Sequence, residues 1–289
     1  MNSGLILFNK PKGITSFDAL RDIKRALGTG RVGHTGTLDK FASGLLIVLA
    51  GKALRLSRWF THCDKKYQGR IKFGMETDTL DPEGNIIAEA GLPTREQTEK
   101  ALSQFTGNIL QTPPVFSAIH VNGKRASNLA RSGKMPEMKE RPVSIYKLEL
   151  LSWEPPFADI FVHCSSGTYI RSLARDIALA AGSRGHLVSL LRTQIAGFHL
   201  EEVHTETQRL GEHGVKKISK EIISSLGLKY FDVSENERDT ILHGKSISFV
   251  PPCLCVNSSC LAVFEGEELI AIIEKEDNSW KYGCVLAER

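Results

Sequence analysis

The stretch RVGHTGTLDKFASGLL, residues 31–46, sets one histidine, two threonines, three glycines and a single aspartate around the start of an apolar run. Two readings of Asp39 compete. In one, the LDKF segment is a turn or a helix cap, where a short carboxylate satisfies backbone N–H groups. In the other, Asp39 is a reactive carboxylate held on a glycine-shaped loop. The run LLIVLAG behind it reads as a buried strand in both cases. The rest of the chain has to decide.

At 289 residues there is room for one large domain and a small one. Apolar residues at 41% and charged residues at 24% suit a globular protein with a core of useful size. The greasiest stretch, GLLIVLAG at 44–51, is far shorter than the roughly 20 residues a membrane span needs. The N-terminal MNSGLILFNKPKG has no basic lead and only four apolar residues in a row, so no secretory signal is expected. A cytoplasmic protein with six reduced cysteines is the expectation, with no membrane contact.

Charge is unevenly spread. Residues 231–289 hold 5 basic and 11 acidic side chains, leaving 32 basic and 22 acidic in residues 1–230. The excess concentrates at 52–72 and 120–147, each with seven Lys or Arg. Clustered cations suit a polyanion, whose neutralised phosphates release counterions. The alternative is a solvated basic surface.

LILF at 5–8 reads as a short strand. TSFDALRDIKRALG reads as a helix with Phe17, Leu20, Ile23 and Leu27 on one face, a Thr15–Asp18 capping box and a stop at Gly28. PTREQTEKALSQFTG is a second helix, capped by Thr94, with Leu102 and Phe105 inward. VSIYKLELLSW and ADIFVHCSSG alternate and should pair as antiparallel strands. TYIRSLARDIALAAG is a helix capped by Thr168, and HLVSLLRTQIAGF adds another strand. The pattern turns polar and helical over 205–228, and a boundary is expected there. Beyond it, short strands joined by glycine and acidic turns form a small β module.

Three motifs fail in context. GTGRVG (28–33) follows a helix instead of opening one, so it is not a dinucleotide loop. AGKA at 50–53 lacks the remaining residues of a P-loop. Cys253, Cys255 and Cys260, with Cys284 or His243, do not match paired zinc spacing, and small apolar roles in a β module are favoured. Neither a cofactor nor a metal is expected.

Two further residues stand out. Arg171 falls at about the third position of its helix, where a cation opposes the helix dipole unless an anion is near. Tyr67 sits just before an alternating strand inside a basic run. Each also has a plain structural reading.

Taken together, NKPKGITSFDAL, RVGHTGTLDKFASGLL, DKKYQGRIKFG, TDTLDPEG, PPVFSAIHVNGKRASNLARSG, RPVSIYKLEL and HCSSGTYIRSLARDIA resemble, in order and spacing, the blocks of the bacterial TruB family, the tRNA pseudouridine-55 synthases. The resemblance covers about residues 4–200, and the tail resembles the family's PUA-like module loosely. It implies an α+β fold: a mixed, mainly antiparallel central sheet flanked by helices over 1–228, an RNA-binding loop near 112–141, and a PUA-like β module at 229–289. It implies Asp39 as nucleophile, Tyr67 as the active-site tyrosine and Arg171 as the aspartate's partner. It implies His34, Tyr169, Leu190, Lys10 and Pro11 around the base and its T-loop. The sequence departs from the family at Lys40, where proline is usual, at Ser127–Asn128, where tyrosine is common, and at Thr193, where a second arginine often stands.

The implied reaction isomerises uridine to pseudouridine at position 55 in the T-loop of tRNA, with no redox change and no group donor. The base must leave its stack to be reached. The basic segments would hold phosphates, and the polar segment NGKRASNLARSGK would order on RNA. Monomeric action without an obligate protein partner is expected. A guide-dependent synthase and a non-catalytic RNA-binding or tRNA-folding protein are the alternatives.

Overall fold

The computed structural model describes residues 3–203, 214–255, 258–277 and 279–287. Part of the polar segment expected over 205–228 lies outside them. The strands up to the first hairpin are β1 (Gly4–Lys10), β2 (Val32–His34), β3 (Ser43–Ala50), β4 (Lys65–Phe73), β5 (Met75–Thr77) and β6 (Ile86–Glu89). Next come β7 (Gly107–Gln111), β8 (His120–Val121), β9 (Lys124–Arg125), β10 (Arg141–Glu154), β11 (Phe157–Cys164), β12 (Gly185–Ile195) and β13 (Phe198–His199). The last four are β14 (Lys229–Asp232), β15 (Cys260–Glu265), β16 (Glu268–Glu276) and β17 (Ser279–Val285). The helices used below are α1 (Ser16–Ala26), α2 (Ser57–Thr61), α3 (Arg95–Ser103), α4 (Ala126–Arg131) and α5 (Ile170–Ala180).

A nine-stranded sheet carries the molecule, in the order β1-β3-β12-β4-β11-β10-β7, with β2 beside β3 and β13 beside β12. Every pairing in it is antiparallel except β12 with β3. One edge of β3 is therefore shared. β2 holds its far end, at 48–50, and β12 holds its near end, at Ser43 and Gly44. The segment 35–42 emerges where these two partners separate. Gly44 makes the near end possible. Its φ is +109°, and a Cβ there would sit 2.3 Å from the Arg192 carbonyl oxygen.

The inner face of β4, β11, β10 and β12 packs on α5 and α3 through Ile71, Ile160, Leu173, Ile177 and Leu187, with Leu102 and the partly buried Phe105 from the α3 side. α1 covers Ile6, Leu46 and Val48 with Ala19, Leu20 and Ile23. Its Thr15–Asp18 capping box forms as expected, and Gly28 takes φ +60° after it. Phe17 departs from the expected inner face: it is 71% exposed, under the ammonium of Lys24. Placed second in the helix, it points away from the stripe that Ala19, Leu20 and Ile23 bury.

The second sheet, β14-β15-β16-β17, begins at Lys229. Its Ala262, Phe264, Leu269 and Ile272 share one buried cluster with Leu5, Leu7, Leu45, Ile47 and Phe60 of the large sheet's side. Helix α2 and the turn before it are the link. The Trp59 indole donates to the Cys260 sulfur, Arg58 pairs with Glu274, and Arg55 donates to the Val285 carbonyl. The basic stretch 52–72 is thus partly spent on docking this sheet. Lys65 turns inward as well, capping the end of α2 by donating to the carbonyls of Thr61 and Cys63 at 3.1 and 2.5 Å.

Two outcomes follow. Gly44→Ala should lower unfolding free energy in urea by about 2–4 kcal/mol, through clash and left-handed strain. Gly28→Ala, with open space around it, should cost about 1 kcal/mol. The Lys65 ammonium is pushed down to about 8, mainly by burial, with Arg192 beside it acting in the same sense. An unfolded lysine titrates near ~10.4. Between pH 8 and 10 the unfolded chain thus binds the proton the folded chain has lost, and this lysine makes stability rise with pH. The thiols of Cys164, Cys260 and Cys284, pushed up by burial, act in the opposite sense. The readout is therefore a difference: the stability of wild type relative to Lys65→Met should climb from pH 8 to 10 and stay flat below pH 7.

Candidate active site

Asp39 lies in the segment between β2 and β3, outside any helix, with a turn closed by the Ala42 N–H donating to its carbonyl at 3.1 Å. The segment is tied down on both sides of it. Ser16 Oγ donates to the Leu38 carbonyl and accepts from the Leu38 N–H, at 3.0 and 2.9 Å. The Gly13 N–H donates to the Lys40 carbonyl at 2.8 Å. The N-terminal turn after β1 thereby fixes both neighbours of Asp39, which explains why a KPKGITS block accompanies this aspartate. Lys10 is wholly enclosed. Its Nζ donates to the carbonyls of Pro11 and Ile14 at 3.0 and 2.8 Å, folding that turn about itself, while Pro11 is exposed.

Arg171 meets Asp39 from the first turn of α5. Its Nη2 donates to Oδ1 at 3.1 Å, and its Nε lies 2.8 Å from Oδ2 without its N–H aligned on that oxygen. Arg171 is 5% exposed and the Asp39 side chain 35%, so the cation is enclosed and the carboxylate can be reached. The other edge of the guanidinium is also occupied. Nη1 donates to the Thr79 carbonyl at 2.7 Å and approaches Asp81 Oδ2 at 3.4 Å, and Nη2 donates to the Phe116 carbonyl. Asp81 comes from the TDTLDPEG block, where Thr79 Oγ1 and the Glu83 N–H donate to its Oδ1. An anion beside Arg171 was the sequence expectation, and the structure supplies two.

The start of α5 differs from expectation. The N-cap is Tyr169, without a side-chain cap, and Arg171 is the second helical residue. Thr168 instead donates to the Ser165 carbonyl at 3.0 Å. The first amides are moored through β7: Gln111 accepts from the Tyr169 N–H and donates to its carbonyl, at 2.8 and 3.1 Å. A cross-sheet amide replaces the local cap, and this pairing is invisible to local sequence rules.

Tyr67 on β4 is 7% exposed and faces inward. Burial pushes its phenol up to about 12 against the pull of Arg192, so it keeps its proton near neutrality. Burial and Arg192 both push His34 down, and its Nδ1 is buried without a hydrogen-bond partner. Burial also pushes the Lys10 ammonium down to about 8, with Asp39 opposing. The Asp39 charge acts on Lys10, Tyr67 and Tyr169 alike, placing all three around it. Leu190 contributes buried surface two residues before Arg192 on β12. Of the eight residues singled out in the sequence, Asp39, Arg171, Lys10, Tyr67 and Tyr169 are thus brought together, His34 shares the field of Arg192, Leu190 lies in the core beside Tyr67, and Pro11 touches Lys10 through its carbonyl.

Sequence reasoning missed Asp81, Gln111, Ser16 and Arg192. Only Arg192 left a readable trace, since strand alternation puts it on the buried face with Leu190, where a charge is out of place. The stretch 120–147 holds the exposed cations Lys124, Arg125, Arg131, Lys134, Lys139 and Arg141, and it carries the hairpin β8–β9 and helix α4. Cys260 serves the Trp59 indole, and among the described residues no three His, Cys, Asp or Glu side chains are grouped to hold a metal. No helix among them is long and apolar enough to cross a membrane.

Comparison with known proteins bears on this geometry. The N-terminal domain of the TruB family pseudouridylate synthases matches residues 24–170. The tRNA pseudouridine synthase B of Borreliella burgdorferi is 38% identical over 286 residues, 98% of this chain and 99% of that protein. That of Treponema denticola is 39% identical, over 87% of this chain and 77% of its own. Among solved structures, a Cbf5–Nop10–Gar1 complex superposes with a TM-score of 0.70 at 22% identity, covering 96% of this chain and 80% of that one, which establishes the shared fold. With a relative matched over nearly its whole length and the family's own domain spanning the Asp39 segment and the tyrosine strand, this chain belongs to the TruB family and is a tRNA pseudouridine synthase, an isomerase.

Proposed function

We propose that the enzyme converts uridine to pseudouridine at position 55 in the T-loop of tRNA, with Asp39 as its nucleophile. The observation that carries this reading is the half-open Asp39 carboxylate against the enclosed guanidinium of Arg171. A carboxylate pinned at both flanking residues and paired on one side keeps an exposed face for a substrate atom. The base leaves its stack and enters beside Tyr67, Tyr169 and Leu190. The N1–C1′ bond breaks, the uracil turns, C5 bonds to C1′, the C5 hydrogen leaves as a proton, and N1 takes up a proton. Asp39 is the group that acts on the nucleoside. Arg171 orients it, with Asp81 balancing the far side of the guanidinium. Tyr67 keeps its proton and works as a ring surface and hydrogen-bond donor. His34, Lys10 and Pro11 border the same pocket. The exposed cations of 120–147 supply phosphate contacts, and that segment orders on RNA. Residues 1–228 form the catalytic domain and 229–289 a PUA-like module, in a monomer that acts in the cytoplasm on free tRNA.

The fold shared with an archaeal box H/ACA sRNP Nop10–Cbf5 complex and with a chain of an H/ACA RNP bound to a substrate RNA makes guide dependence the second reading. Turnover of a bare T-arm hairpin by the protein alone favours the first. Loss of all turnover without a guide favours the second, and binding with no isomerisation would favour an RNA-folding role.

Tritium release from a 5-labelled T-arm hairpin should fall below detection in Asp39→Asn while hairpin affinity stays within about threefold. Undiminished turnover would remove Asp39 from the chemistry. Asp81→Asn should cut the single-turnover rate by about tenfold or more, since a small misplacement of the guanidinium shifts the carboxylate it orients. Because Tyr67 holds its proton, the rates of wild type and Tyr67→Phe should differ by a constant factor from pH 6 to 9.

A further inference from the structure

Arg192 is the bulkiest of the fully enclosed side chains, at 1% exposure. No carboxylate pairs with it among the described residues, although a guanidinium cannot shed its charge. Carbonyl oxygens meet that charge instead. Nε donates to Leu45 at 2.7 Å and Nη2 to Gly36 at 3.1 Å. Tyr67 stands directly opposite Arg192 on the neighbouring strand, and the guanidinium opposes the upward push that burial gives the phenol. The backbone of Arg192 lies against Gly44 on the other side, in the contact a Cβ would block. Lys10, His34 and Lys65 all lie within its field, and burial together with Arg192 pushes each toward its neutral form.

An arginine is a costly choice here if its task is packing. Apolar side chains of similar volume commonly replace a buried ion at no loss of stability. Its two hydrogen bonds and its cross-strand neighbour say what the charge does. Gly36 lies at the start of the Asp39 segment, Leu45 follows its end, and Tyr67 lies within the field of the Asp39 charge. A planar fork can serve three acceptors in fixed directions, which an ammonium cannot.

We propose that Arg192 is a positioning residue of the isomerisation, whose guanidinium holds the Asp39 segment at Gly36 and Leu45 and the Tyr67 phenol in one frame. The proposal rests on the reading of Asp39 and Tyr67 as groups that meet the nucleoside. In that frame Arg192 donates to the phenol oxygen and leaves the phenol proton free for donation into the pocket.

The test is single-turnover conversion of a T-arm hairpin by the full chain, with hairpin affinity measured separately. Arg192→Met should convert about 100-fold more slowly at nearly unchanged affinity. Arg192→Lys, which keeps the charge but not the fork, should recover about tenfold of that loss. The ¹³Cζ resonance of Tyr67, one of five tyrosines, should move in both variants. Should Arg192→Met not fold, Arg192→Lys against Arg192→Gln decides, with Lys expected about tenfold faster. Three results would overturn the proposal: a Met variant keeping more than a third of the rate, a loss found wholly in affinity, or Lys no better than its uncharged comparator. An unmoved Tyr67 resonance would overturn the phenol contact. Asp39→Asn runs alongside: if it turns over fully, the reading of the site fails independently of Arg192.

Discussion

The guanidinium of Arg171 is shared between two carboxylates that arrive from different parts of the chain, Asp39 from the segment before β3 and Asp81 from the loop after β5. A single ion pair in that place would leave one edge of an enclosed cation facing protein without a partner. The second carboxylate, with the carbonyls of Thr79 and Phe116, completes the set of acceptors. It also resolves the conflict between a cation and the positive end of α5. The two acids are not equivalent. Asp81 is held by Thr79 and the Glu83 amide in a nearly closed site, whereas Asp39 keeps an accessible face. One anion balances the arginine, and the other remains available for chemistry.

Everything around that pair limits its freedom. Ser16 and Gly13 fix the residues on either side of Asp39, Gln111 fixes the first amides of α5, and Arg192 grips the segment from beneath. Much positive charge is collected in little space, and the site carries it by keeping Lys10 and Lys65 easily deprotonated and His34 biased toward neutrality. Such a site is electrostatically tense before substrate arrives. Organised dipoles and charges of this kind favour a transition state because they need not reorient during the reaction.

The second sheet enters the same structure through packing. Its apolar face closes the side of β1 and β3 that α1 does not cover, and α2 with the turn before it carries the polar contacts. Arginines that look, in a one-dimensional count, like part of a phosphate-binding stretch instead join the two sheets. Charge density along a chain does not say which way a side chain turns; that depends on which face of its element is covered.

Local order was legible in the residues themselves. Alternation marked β10, β11 and β4, a capping box marked α1, Thr94 as a cap marked α3, and the resemblance of seven blocks named Asp39, Tyr67 and Arg171 with their neighbours. These features depend on contacts between residues a few positions apart, or on pattern retained along the chain, and a linear reading captures both. Phe17 and Thr168 were misjudged where a helix start was set by a distant strand or an exposed face rather than by its own letters. Asp81, Gln111, Ser16 and the role of Arg192 were decided only in three dimensions. Each works through a partner 22 to 156 residues away in the chain. Hydrogen bonds and ion pairs act over a few ångströms of space, and only the folded sheet brings such distant residues within that range.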